Sequence, residues 1–148
     1  MLRPRLILLS LLWGLASVHA PAQPAGEPTP VTQAVAEIKL KPNWQRIEIS
    51  EEKPKSYRLQ LNYKPTSLRS HKVSGQEAAA DTTDIARTVL DELKKEGKDP
   101  ATDQIVVSVL AQQDAGKGPT GKPYTRLFGS TVYDYHTDKL EFRPYRRR

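Results

Sequence analysis

Two short stretches of this chain carry residue types that could do chemistry. The first is Gly116-Lys117-Gly118-Pro119-Thr120-Gly121-Lys122. It matches the opening of the phosphate-binding pattern G-x-x-x-x-G-K-[ST], in which backbone N–H groups and the lysine cradle a nucleoside triphosphate. That chemistry also needs a hydroxyl in the next position to hold magnesium, and a helix whose N-terminus faces the phosphates. Pro123 stands where the hydroxyl should be, and the residues after it alternate with strand period. Nucleotide binding is therefore set aside, and residues 112–123 read as a Gly/Pro-rich hairpin loop.

The second stretch is Asp134-Tyr135-His136-Thr137-Asp138. Two carboxylates flanking an imidazole could ligate a metal or work as an acid–base pair. The same residues sit where two strands must be joined, and Asp and Thr are common turn formers. His71, the other histidine beyond the leader, lies in a distant irregular segment. A turn is the preferred reading. Asp134, His136 and Asp138 remain the centre of a rival one, a small metal-dependent or acid–base hydrolase.

No nucleophile arrangement is legible: there is no cysteine, no G-x-S-x-G and no evident Ser-His-Asp set. Asp84, Asp91 and Glu92 read as the solvated face of a helix. No cofactor is implied. Tyrosines offer a better lead, since Tyr57 and Tyr63, or Tyr133 and Tyr135, could interleave with Arg58, Lys64 or Arg126 to stack on a base or sugar. Tyrosine is equally a routine strand residue, and packing is the preferred reading.

Charge narrows the partners. The formal net charge is +6 and the pI about 9.6. Arg3 and Arg5 lie in the leader and Arg143, Arg146, Arg147 and Arg148 in a terminal tail, so the chain between Gln23 and Phe142 is neutral overall. A neutral core disfavours nucleic acid. It is nonetheless polarised, with bases concentrated over residues 39–72 and acids over 77–103, which could orient a partner. Lys117, Lys122, Arg146, Arg147 and Arg148 are the candidate partner contacts.

The N-terminus carries an address. Basic residues 1–5 precede an apolar run over 6–16 and a small-residue stretch, the layout of a secretory signal peptide. The run is shorter than the roughly 20 apolar residues a spanning helix needs. Cleavage after Ala22 satisfies the A-x-A pattern; the alternative, after Ala20, would leave Pro21 at the cut. No anchor is expected after cleavage. The absence of cysteine favours a bacterial periplasmic or secreted protein over a disulfide-stapled extracellular module.

The elements follow from periodicity. Residues 23–43 read as a Pro-rich flexible linker or arm, with weak helical spacing at Val31, Ala34, Val35 and Ile38. From Trp44 the period becomes two: Ile47 and Ile49 share one face, then Tyr57, Leu59, Leu61 and Tyr63, with residues 51–55 as the turn. A helix is expected from Asp81 or Thr82, with Ile85, Ala86, Val89, Leu90 and Leu93 as its stripe and Gly97 as its stop. Residues 105–110 read as a central strand, and 124–133 with 139–142 as a second hairpin bulged at Gly129.

The expected fold is α+β: a signal peptide (1–22), the linker, one domain over 44–142 in the order β-β-α-β-β-β, and a basic tail (143–148). Its mostly antiparallel sheet should carry one main helix on one face. The functional expectation is a non-enzymatic exported protein that binds an unidentified envelope or extracellular macromolecule. A second alternative is an anionic-polymer binder acting through the tail. Oligomeric state is not legible.

Overall fold

A computed structural model describes residues 27–65 and 72–146. The expected signal peptide, the first part of the expected linker, His71, Arg147 and Arg148 lie outside the described residues. The order is α1 (Pro30–Glu37), β1 (Trp44–Lys53), β2 (Ser56–Tyr63), α2 (Gly75–Lys95), β3 (Val106–Lys117), β4 (Pro123–Asp134) and β5 (Lys139–Pro144). The strands form one sheet in sequence order. Only the β2–β3 neighbours, joined through α2, are parallel. The architecture is α+β with a mostly antiparallel sheet, and α1 and α2 pack together on one face.

The alternation read in β2 sets that face. Tyr57, Leu59, Leu61 and Tyr63 are buried beneath the helices, and β3 adds Val107, Val109 and Ala111. The opposite face stays open, with Gln112 donating to Asn62 Oδ1 at 2.7 Å and Asn62 to Glu48 Oε2 at 2.9 Å. The strand expected to be apolar on both sides is covered on one only, leaving Val106, Ser108 and Leu110 half-buried.

Several boundaries differ from expectation. The strand expected over 105–110 runs on as β3 to Lys117, so the loop expected over 112–123 shrinks to a turn at 118–122. Strand β5 takes Arg143 and Pro144 from the expected tail. Residues 30–37, within the expected arm, form a helix capped by Thr29, and Val31 and Val35 join the core. Valines four apart share one helix face, which here meets α2. The turn between β1 and β2 is only residues 54–55, because Lys53 already pairs with Ser56. Helix α2 starts two turns early: Ser74 is the N-cap, its Oγ accepting from Glu77 N at 3.1 Å. The expected stripe of Ile85, Ala86, Val89, Leu90 and Leu93 is buried, and Gly97, at φ 77°, closes the helix as Lys98 N donates to Leu93 O at 3.0 Å.

The early start moves Asp81 from a helix cap to the interior. Its Oδ2 accepts from Trp44 Nε1 at 2.9 Å and Tyr63 OH at 2.8 Å, while Oδ1 takes the Lys41 ammonium. The carboxylate thus ties α2 to the start of β1 and the end of β2. Its bond to Asp81 raises the Lys41 pKa against the opposing effect of burial. Burial first, and the Asp81 bond second, raise that of Tyr63. Burial and a 2.7 Å bond to Asp138 push Tyr133 up to about 12.

For all three groups the folded pKa exceeds the unfolded one, so their stabilisation is complete below the unfolded value and lost as pH rises through the folded one. Thermal midpoints are therefore expected to hold steady to about pH 9 and to fall as tyrosine titrates, between 10.0 and about 12. Circular-dichroism melts across this range check it. Tyr133→Phe should show a shallower decline; a wild-type midpoint unchanged to pH 12 would contradict the assignment.

Candidate binding surface at the basic end of the sheet

Strands β3 and β4 run well past the helices as a hairpin, turned over residues 118–122. Gly118 N donates to Lys122 O at 2.8 Å, Gly121 N to Gly118 O at 2.9 Å, and Asp114 Oδ1 accepts from Gly116 N at 2.8 Å. Strand β4, not a helix, follows this turn. The Gly/Lys stretch therefore has no helix N-terminus to offer a phosphate. Lys117 and Lys122 are exposed on either side of the turn.

Strand β5 brings the tail back beside β4. Gly129 pairs with Pro144, and Tyr145 N still donates to Phe128 O at 3.1 Å. Tyr145 is thereby set against the first half of β4, where Tyr124, Thr125, Arg126, Leu127 and Tyr145 line an open cavity of about 390 Å³. Among the described residues, the exposed large apolar or aromatic side chains are Leu40, Tyr124 (43%) and Tyr145 (55%). Two of these three meet in one cavity.

Arg126 is held there from beneath. Its guanidinium carbon lies 4.7 Å from the centroid of Phe128, whose ring meets Tyr63 edge-on at 5.5 Å. Tyr63 in turn donates to Asp81. A continuous chain of contacts thus runs from the buried carboxylate to a cation in the cavity that Tyr124 and Tyr145 also line. Arg146 follows Tyr145 and is exposed. Lys117 and Lys122 flank the turn that leads into Tyr124, so three exposed cations adjoin the cavity residues in chain and register. An array of cations and flat faces can neutralise anionic groups and stack on rings.

The tyrosines picked out in the sequence lie elsewhere. Tyr57, Tyr63 and Tyr133 are core residues, and Tyr135 rests on His136 with ring centroids 4.2 Å apart. Their alternation with Leu59 and Leu61 was the signal that Tyr57 and Tyr63 face inward. Tyr124 and Tyr145 carry no such signal. They sit where β3, β4 and β5 outrun the helices, which only the register reveals.

Asp134, His136 and Asp138 are brought into the turn joining β4 and β5. Asp134 accepts from His136 N at 2.9 Å and Thr137 Oγ1 at 3.0 Å, and these bonds hold its carboxyl below the usual range. Asp138 accepts from Tyr133 OH. Both carboxylates serve the turn and its strand. Among the described residues no three His, Cys, Asp or Glu side chains gather as a metal site, and no helix is long and apolar enough to cross a membrane. No protein-family model matches the chain, and no curated protein or solved structure is significantly similar to it.

Proposed function

We propose that this chain is an exported, non-enzymatic binding domain that holds an anionic macromolecule of the cell envelope or extracellular space at the basic end of its sheet. The observation that carries the reading is the convergence of Tyr124, Arg126 and Tyr145 on one cavity beside the turn lysines and the tail. Export rests on the leader layout in residues 1–22. Arg147 and Arg148 extend the same basic run.

The test uses polygalacturonate, an acidic ring polymer, beside a neutral glucan. The polymer is expected to bind with an affinity that falls steeply as salt rises, since exposed cations are screened over about 10 Å at 0.1 M. Tyr145→Ala and Arg126→Ala should each weaken binding about tenfold, the loss of roughly one stacking or charged contact. A chain ending at Pro144 should lose most of the affinity. Equal binding by the truncated chain, or equal binding of both polymers at all salt concentrations, would reject the reading.

A further inference from the structure

Strand β5 pairs with the outer side of β4 only from Gly129 to Asp134, followed by the single bond from Tyr145 N to Phe128 O. The inner side of β4 continues to pair with β3 through Leu127, Arg126 and Thr125. Among the described residues, no strand therefore pairs with the outer side of β4 over 123–127. The cavity of about 390 Å³ lies along this edge. Successive side chains of a strand point to opposite faces, so a cavity lined in succession by Tyr124, Thr125, Arg126 and Leu127 belongs to neither face. It opens on the side of the strand itself, with Tyr145 standing where β5 ends.

We infer that an acidic polypeptide segment, in extended conformation, adds to β4 here as a further strand. The inference rests on the reading of this end as an anion-binding surface and narrows the partner it holds. An open strand edge presents N–H and C=O groups in alternation, a repeat that another polypeptide chain matches group for group. Residues 123–127 extend over about 17 Å, room for four or five residues of a partner.

Charge selects which polypeptide. Lys122, Arg126 and Arg146 adjoin the edge in chain and register, and the single carboxylate of the hairpin, Asp114, lies on β3 and accepts from Gly116 N. An acidic segment is attracted, whereas a second copy would set the same cations against themselves. Pro123, which has no N–H to offer, closes the edge beside the turn. Prolines and lysines at an edge limit open-ended sheet growth, so addition stops at one segment.

Calorimetric titration of the protein purified after expression of the full chain tests this with two peptides. One is a blocked octapeptide of alternating glutamate and threonine. The other is the same peptide N-methylated on four consecutive central residues, which keeps its charge and loses its edge N–H groups. The unmodified peptide is expected to bind at low ionic strength, and the methylated one at least about tenfold more weakly, the loss of two or three backbone bonds. In the complex with the unmodified peptide, amide hydrogens within residues 124–127 should exchange at least about tenfold more slowly, with those of 130–134 unchanged. Equal binding of the two peptides, or no slowing within 124–127, would overturn strand addition. Polygalacturonate measured in parallel separates the two levels. If it binds while the peptides bind equally, the anion-binding reading stands and this inference fails; if none of the three binds, both fail.

Discussion

Replacing Asp81 by alanine is expected to lower the unfolding free energy by about 3–5 kcal/mol, the cost of removing one partner from a buried charged network. The carboxylate is 2% exposed and is shared by Trp44, Tyr63 and Lys41. Alanine leaves the indole N–H and the phenol O–H buried without an acceptor, each worth about 1–3 kcal/mol, and opens a cavity between α2 and the sheet. Against a total of about 5–15 kcal/mol for a domain of this kind, the loss is severe.

Two milder variants separate the contributions. Asp81→Asn keeps one oxygen for Trp44 and Tyr63 and should cost less than half as much. Lys41→Met should cost about 1 kcal/mol or less, because Lys41 is 46% exposed and solvent screens its charge. Urea unfolding at pH 7 gives the ranking. An Asp81→Ala loss below about 1 kcal/mol would show that the network does not carry the helix–sheet contact.

How much of this was legible depends on which kind of order the residues encode. Period-two alternation in β2 and the stripe of α2 report their own faces, so both were readable. Residues 75–80 hold little apolar surface beyond three alanines, so the stripe pointed to a start at Asp81. The local sign of the true start was the Ser74-x-x-Glu77 spacing, a capping-box pattern. Once the helix begins at Gly75, Asp81 falls on its inner face with Ala78, Ile85 and Val89, and a buried carboxylate must find donors.

The candidate binding surface was half legible. Lys117, Lys122 and Arg146 could be named because a Gly-rich turn and a chain end are exposed in almost any fold. Tyr124 and Tyr145 are far apart in the chain and meet only through the β4–β5 register. Arg126 owes its place to Phe128, the extra residue of the bulge beside Gly129. Non-local pairing leaves no periodic trace.

Gly129→Ala is expected to be the other strongly damaging change, destabilising by about 3 kcal/mol through strain and overpacking. Gly129 sits at φ 147°, a conformation that side-chain-bearing residues rarely adopt. A Cβ there would lie 2.5 Å from Arg143 O, 2.6 Å from Phe142 Cζ and 2.9 Å from Pro144 Cα. Two of these are backbone atoms, so relief requires the end of β5 to move away from β4. The Gly129–Pro144 and Ser130–Arg143 pairings are then lost, and with them the Tyr145 N bond to Phe128 O. Tyr145 leaves the cavity it shares with Arg126. The variant should therefore lose polymer binding under conditions where circular dichroism still reports a folded chain, beyond what its stability deficit explains. Gly75→Ala is the control: nothing lies within 4 Å of its Cβ, and alanine suits a first helical turn, so stability should be unchanged or raised. If Gly129→Ala unfolds in urea like the wild type and binds the polymer equally well, the close approach of β5 does not position the tail.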